Sequence, residues 1–276
     1  LYLKHFGLTE LPFRITPDTD FVYSARSHQE ALNTLLVALD QGEGFVKICG
    51  EVGTGKTLLC RRLLQSLDES WVSAYLPNPC LDPDTLFLAL CDELSIDDVA
   101  GLDQFHLIRR INHALLGYAR AGRRVVLCID EAQAMPLETL ETLRLLSNLE
   151  TEKRKLLQIV LFGQPELDHK LRRPEVRQLQ QRIAFNYRLR AVDQSEVGDY
   201  LMFRLRVAGY RGDALFTPPA LRALCRASGG TPRLINILAH KALLAAFGEG
   251  QAYARFAHVR RACRDTEGVR RLWWPW

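Results

Sequence analysis

Gly50-Glu51-Val52-Gly53-Thr54-Gly55-Lys56-Thr57 fits the pattern G-x-x-x-x-G-K-[ST]. Its flanks decide whether the match has physical content. Phe45 to Cys49, just before it, is a short apolar run of the kind that forms a buried strand. Leu58 to Leu64, just after it, has the spacing of a helix. A glycine-rich loop that matched by chance would not carry both flanks. In the strand–loop–helix context the glycines let the backbone curl until its N–H groups face a phosphate. Lys56 then reaches the β and γ oxygens, and Thr57 offers a hydroxyl to Mg²⁺. The helix that begins around Leu58 sets its positive end under the same phosphates. The candidate nucleotide-binding set is therefore Gly50, Glu51, Val52, Gly53, Thr54, Gly55, Lys56, Thr57 and Leu58.

A second strand end completes a nucleotide site. Arg124-Val125-Val126-Leu127-Cys128-Ile129 is apolar after its first residue, as a strand buried on both faces must be, and Asp130-Glu131 follow it. Open α/β sheets bind ligands at the carboxyl ends of their strands. Asp130 is placed to hold Mg²⁺ and Glu131 to polarise an attacking water. Taken alone, the pair reads equally well as a helix cap and a first-turn acid before Pro136; the loop upstream favours the catalytic reading. A third strand, Leu156 to Phe162, ends in Gly163-Gln164-Pro165. Gln164 stands where an amide could reach the γ-phosphate or its water, or is a plain turn residue.

The remaining chain supplies the frame. Ser27 to Gln41 reads as a helix, Trp71 to Leu76 as a strand, and Asp84 to Leu94 and Phe105 to Ala119 as helices. Leu137 to Leu149 reads as a helix, the stretch carrying Arg172, Arg173, Arg177 and Arg182 as polar and helical, and Ile183 to Leu189 as a last strand. Near Asp193 the alternation stops. Gln194–Ala208, Pro218–Ala227, Pro232–Phe247 and Ala254–Arg264 fit four helices. Thr231 caps the third of these, Pro232 opens it, and Arg233 projects from its first turn. A cation beside a helix's positive end is unfavourable unless an anion joins it, which hints at a nucleotide phosphate. Residues 1–28 are aromatic and proline-rich without periodicity, an irregular segment packed on the core or beside a base. The domains expected are a nucleotide-binding α/β core over 1–192, a helical lid over 193–265 and a Trp-rich tail over 266–276. The tail's Trp273, Trp274 and Trp276 suit a docking peptide or interfacial anchor, or fold back on their own domain.

Composition narrows the classes. A hydrophobic fraction of 47% supports a sizeable core, and no apolar run is long enough to span a bilayer. The net charge of +4 comes with scattered arginine pairs and no dense basic tract, so nucleic acid is neither demanded nor excluded. The seven cysteines form no C-x-x-C, and an odd count with no framework suggests reduced, cytosolic thiols acting as small core residues. His106 and His113 lack the spacing and carboxylate of a helical metal site and read as surface histidines.

Phosphate loop, paired acids, polar strand end and a helical segment opening on Gly-Thr-Pro-Arg together resemble the AAA+ ATPases. More narrowly, His5-Phe6-Gly7-Leu8, His28-Gln29-Glu30-Ala31-Leu32, Asp130-Glu131-Ala132-Gln133, Leu145 to Thr151 and Gly163-Gln164-Pro165-Glu166-Leu167 are similar to the ExeA/GspA-type ATPases of general secretion. Within these they look most like the short MshM type of MSHA pilus biogenesis. The resemblance covers nearly the whole chain. It implies an α/β P-loop NTPase (AAA+) fold: a parallel five-stranded sheet with helices on both faces, then an all-α lid. It implies ATP and Mg²⁺ as cofactors, and assembly into a homo-oligomeric ring or filament. Gln164 would be a first sensor and Arg233 a second. Arg182, in Gln181-Arg182-Ile183, would be the arginine finger acting on a neighbour's ATP, with Arg177 as the substitute. Such a finger contributes about 10³–10⁵ in rate. The long secretion relatives continue into a transmembrane helix and a peptidoglycan-binding domain. This chain is expected to follow the short pilus form and not to remodel the cell wall itself.

The function expected is ATP hydrolysis, activated by oligomerisation, that supports assembly of a type IV (MSHA-type) pilus or type II secretion machine. The partners would be inner-membrane proteins of that machine, and the place cytoplasmic, peripheral at the inner membrane. Two other functions share the same residues. One is a DNA-acting regulator of the transposition-accessory or initiator type. The other is a nucleotide-gated scaffold whose hydrolysis is incidental.

Overall fold

The computed structural model describes residues 2–15, 21, 23–151 and 154–270. In chain order the elements are α1 (Tyr2–His5), α2 (Arg26–Asp40), β1 (Phe45–Cys49), α3 (Lys56–Ser66), β2 (Trp71–Leu76), α4 (Pro83–Glu93), α5 (Gln104–Arg120), β3 (Arg124–Ile129), α6 (Leu137–Leu146), β4 (Gln158–Gly163), α7 (Pro165–Leu171), α8 (Arg177–Arg182), β5 (Ile183–Arg188), α9 (Val197–Val207), α10 (Pro218–Ser228), α11 (Pro232–Gly248) and α12 (Phe256–Arg264). They fall into two compact units. A sheet unit holds Glu30–Val52 and Leu59–Leu189; a helical unit holds Leu1–Gln29, Gly53–Leu58 and Arg190–Trp276.

The sheet unit is built on five parallel strands in the order β2-β3-β4-β1-β5. Successive side chains on a strand point to opposite faces, and here both faces are apolar. Phe45, Val125, Leu127, Ile129, Ile159 and Leu161 join a cluster that includes Leu86, Leu90, Ile111, Leu115, Leu140 and Leu143 of α4, α5 and α6. Val46, Ile48, Val126, Cys128, Val160 and Phe162 join the opposite cluster with Ala31, Leu35 and Leu39 of α2 and Leu59, Cys60 and Leu63 of α3. This two-sided burial is what a parallel sheet requires. At one edge, β5 alternates half-buried and exposed residues. The strand order reverses at β1, which follows no sequence neighbour and pairs with β4 and β5. A crevice outside the carboxyl ends at such a switch point is where open α/β sheets place their ligands.

The charged exception inside the sheet is Lys47, in the middle of β1 and 7% exposed. Its ammonium pairs with the Asp168 carboxylate on α7, whose other oxygen accepts from the Cys49 thiol at 3.5 Å. A buried ammonium is tolerated only with such a partner.

The helical unit gathers its core from both ends of the chain. Phe6, Leu8, Phe13, Phe21 and Ala25 are buried with Leu201, Leu205, Leu224, Ile235, Leu238 and Leu243. The Tyr2 ring meets Phe6 edge-on at 5.5 Å and Phe247 at 6.3 Å. Arg204 of α9 fixes the irregular stretch: its Nε donates to the Pro12 carbonyl at 2.6 Å, and its guanidinium lies 4.9 Å from the centre of the Phe21 ring. The aromatics of residues 1–28 thus pack with the helices after Arg190, a partner that their local pattern does not reveal.

Some expected boundaries move. The helix read from Leu137 ends at Leu146, with Ser147 as its C-terminal cap. Arg172 and Arg173 lie between helices, because Pro174 interrupts the run and opens a separate 3₁₀ turn. Thr231 occupies the cap position of α11, yet its side chain makes no capping hydrogen bond. All seven cysteines are free thiols. A hydrogen bond with Cys128, and then burial, push the Cys60 thiol well above its ordinary range. The Trp-rich tail read over 266–276 lies outside the described residues from 271 onward.

Candidate functional site

At the carboxyl edge of the sheet, β3, β4 and β1 end side by side. Gly50 opens the glycine loop there, its N–H donating to the Gly163 carbonyl at 3.1 Å. Asp130, 2% exposed, follows β3, and its Oδ1 accepts the Glu131 N–H at 2.9 Å. The neighbouring Tyr75 phenol, on β2, is pushed up to about 12, first by burial and then by the charge of Asp130, so it stays protonated.

Glu131 has φ 50° and ψ 36°, the left-handed region that side chains other than glycine rarely enter. The kink turns the chain into a 3₁₀ turn over Ala132–Ala134 and carries the Glu131 carboxylate toward β4. Its Oε2 accepts from the Gln164 amide at 3.0 Å and from the Gln133 amide at 2.5 Å. Gln133 returns the contact by accepting the Gln164 backbone N–H on its Oε1 at 3.0 Å. Glu131 and Gln164, singled out separately in sequence, therefore meet directly, and Gln164 is the cap residue from which α7 starts.

Residues 53–58 count with the helical unit. Gly53 and Gly55 have φ 76° and 98°, which glycine adopts without strain. The Gly53 carbonyl accepts the Arg233 N–H at 3.2 Å, and a Cβ on Gly53 would lie 2.6 Å from that of Arg233. The Thr54 carbonyl accepts from Nε2 of His28 at 2.8 Å, and a Cβ on Gly55 would lie 2.8 Å from the same nitrogen. Lys56 opens α3 and is 5% exposed, while Thr57 and Leu58 are half-buried.

A family model described as "AAA domain" matches residues 39–171. Solved structures share the fold at low identity. ORC2 of Aeropyrum pernix has a TM-score of 0.66 at 17% identity, over 92% of this chain and 72% of that one. Cdc6p of Pyrobaculum aerophilum gives 0.69 at 18%, over 90% and 70%. The Thermotoga maritima RuvB motor gives 0.58 at 16%, over 91% and 73%. The fold is that of the AAA+ P-loop NTPases. Among curated proteins, general secretion pathway protein A of Aeromonas hydrophila is 46% identical over 273 residues, 98% of this chain and 49% of that protein. The chain is thus similar to GspA over nearly its whole length and spans about half the length of that relative.

An AAA domain implies the capacity to bind ATP with Mg²⁺, and the buried Asp130 carboxylate at the end of β3 is an oxygen donor of the kind Mg²⁺ takes. Among the described residues no group of three His, Cys, Asp or Glu side chains could hold a metal ion. A nucleotide's Mg²⁺ needs no such cage, since phosphates and waters fill most of its octahedron around one or two protein oxygens. Arg182 is not gathered with Glu131 and Gln164. Its Nη1 donates to Ser147 Oγ at 2.7 Å, to Asn148 Oδ1 at 2.5 Å and to the Arg144 carbonyl at 3.4 Å, satisfying the C-terminal end of α6. Arg177 is exposed at the start of α8. No helix of the described residues is long and apolar enough to cross a membrane.

Gln133 and His28 escaped assignment from sequence. The available signal for Gln133 was its place two residues after Glu131, where the chain must turn after a strand. His28 stood out only within the stretch His28 to Leu32 that carries the resemblance, and nothing there named its partner, because Thr54 is remote in sequence and in a loop.

Proposed function

We propose that this chain binds ATP with Mg²⁺ and hydrolyses it to ADP and phosphate in support of a type IV (MSHA-type, MshM-like) pilus or type II secretion machine. The observation that carries the catalytic part is the contact between the Glu131 carboxylate and the Gln164 amide at the carboxyl edge of the sheet. An acid that can polarise water there stands beside an amide that can report on the terminal phosphate. Gly50 to Leu58 hold the phosphates, with Lys56 supplying the cation and Thr57 and Asp130 the oxygens for Mg²⁺. Glu131 takes the proton of the attacking water, and Gln164 and Arg233 contact the γ-phosphate end. Similarity to GspA supports the secretion or pilus setting. A nucleotide-binding core, a helical lid from about 193 to 265 and a tail over 266–276 belong to the same proposal, with residues 1–29 counted with the lid helices and not with the core as the limit 1–192 had them.

The active form is a homo-oligomer, ring or filament, in which Arg182 reaches a neighbour's ATP, or Arg177 in its place. Arg182 would have to exchange its bonds at the end of α6 for that phosphate. The machine's inner-membrane proteins are the partners, and residues 273–276 are a docking peptide for them. A DNA-acting role has in its favour that fold neighbours include an Aeropyrum pernix ORC1 protein whose structure is in complex with DNA. Tight duplex binding at physiological salt, falling steeply as salt rises, would support that role over the pilus reading.

The test is steady-state ATP turnover. Glu131→Gln should lower kcat about 10²–10⁴-fold while ATP still binds, and Lys56→Ala should weaken nucleotide binding. Wild-type hydrolysis in both variants would falsify the mechanism. The slowed Glu131→Gln protein, used as bait with and without residues 273–276, should then capture pilus or secretion components only with ATP present.

A further inference from the structure

We infer that Gln133 is a positioning residue for the Glu131 carboxylate, the constant member of a clamp whose other member, Gln164, is exchangeable. The inference rests on the ATPase reading above and deepens it.

Three hydrogen bonds close a ring at the tips of β3 and β4. Gln133 Nε2 and Gln164 Nε2 both donate to Glu131 Oε2, at 2.5 and 3.0 Å, and the Gln164 N–H donates to Gln133 Oε1 at 3.0 Å. The chemistry fixes which way the Gln133 amide faces. A carboxylate only accepts and a backbone N–H only donates, so the NH₂ must meet Glu131 and the carbonyl must meet Gln164. The amide thus has one orientation that satisfies both neighbours, and reversing it would lose both bonds. The ring also accounts for the backbone at Glu131. Its left-handed conformation persists where surrounding bonds over-determine it. Here these are the Asp130 carboxylate on its N–H at 2.9 Å, the Ala134 N–H on its carbonyl at 2.8 Å and the two side-chain amides.

The members of the clamp differ in their freedom. Gln133 spends its carbonyl on the Gln164 backbone, a group held by the start of α7, so its amide stays where it is. Gln164 binds Glu131 through the side chain alone. If that amide turns to a terminal phosphate, Glu131 loses one donor and keeps the other. A lone pair of Oε2 then becomes available to a water while the carboxylate stays in place. Gln133 acts through Glu131 and is not assigned a contact with substrate.

The experiment compares wild type with Gln133→Leu and Gln133→Glu in the full chain. Initial ATPase rates are measured over a range of ATP, together with binding of a fluorescent ADP analogue and thermal unfolding. Gln133→Leu removes both bonds and should lower kcat about 10–100-fold, with KM for ATP and affinity for the ADP analogue within about twofold of wild type. Gln133→Glu keeps the bond to the Gln164 N–H but sets a carboxylate against Glu131. It should lose at least as much rate while folding normally, and so covers the case in which the leucine variant unfolds. The Gln133→Leu/Gln164→Leu pair should cost clearly less than the product of the single effects, because the residues serve one carboxylate. Wild-type kcat in both Gln133 variants would overturn the inference while leaving the ATPase reading intact. So would parallel losses of rate, nucleotide affinity and thermal stability, since they would show a structural role only. Wild-type turnover no higher than that of Glu131→Gln would overturn both.

Discussion

In the sheet unit, β1, β3 and β4 bury both faces, and each apolar residue finds its neighbours through strand pairing and the helices laid over them. In the helical unit, α9 to α12 meet part of their core only when residues 6, 8, 13 and 21 return from the other end of the chain. A strand buried on both faces carries its own instruction, because a near-continuous apolar run is written into the segment. A helical unit completed by an irregular stretch does not, because the aromatics say that they need burial but not where. Both units bury a charge, but differently: Lys47 of the sheet unit pairs with one carboxylate, while Arg204 of the helical unit grips backbone carbonyls of the returning N-terminal stretch. The contrast is one of robustness: loss in the helical unit should be collective, and loss in the sheet unit local and electrostatic.

The largest expected effect is deletion of residues 1–15. It removes Phe6, Leu8 and Phe13, all buried, along with the carbonyls at Pro12 and Arg14 that Arg204 grips. Each lost side chain is worth about 2–5 kcal/mol, and a whole domain has about 5–15 kcal/mol in reserve. The helices after Arg190 should therefore lose protection from amide exchange while β1, β3 and β4 keep theirs. Uniform protection in both units would break the comparison.

Next is the ion pair. Asp168→Ala leaves the Lys47 ammonium buried without a partner and should cost about 3–5 kcal/mol in chemical denaturation. Lys47→Met should cost much less, because it replaces the buried charge with an apolar chain and leaves Asp168, at 31% exposure, able to reach water. Equal losses would mean that packing, and not charge, sets stability at the centre of β1. Then comes Gly53→Ala, which costs about 1–2 kcal/mol for the left-handed backbone and also sets its Cβ 2.6 Å from that of Arg233, a clash that only a shift of the backbone at the start of α11 can relieve.

These ranks follow how the chain could be read. The strands β1, β2 and β3 lie where their apolar runs placed them, at Phe45–Cys49, Trp71–Leu76 and Arg124–Ile129. The loop and the acids were legible because their chemistry demands particular residue types at fixed spacing. The ring around Glu131 was not, because it joins residues 131, 133 and 164 through side chains whose meeting depends on strand order. Lys47 was legible only as an anomaly, a charge inside an apolar strand. Its partner lies 121 residues away on a helix whose face no local pattern orients.

The smallest expected effect is a pH slope in the helical unit. His240 of α11 sits with its ring 5.8 Å from that of Tyr2, and burial holds its pKa below the ordinary 6.5. In the unfolded chain the imidazole takes up a proton as pH falls through about 6.5, whereas the folded protein resists it. Between those points the unfolded state binds more protons, so stability must rise with pH. The contribution is complete above the unfolded value and is lost as pH falls toward the folded one. Unfolding midpoints in urea should decline gently from pH 7.5 to 5.5, and His240→Phe should flatten that slope without lowering the plateau. A slope that survives the substitution would place the titrating group elsewhere. A slope of opposite sign would mean that the folded helical unit stabilises the imidazolium, and the apolar character assigned to its core would have to be given up around Tyr2.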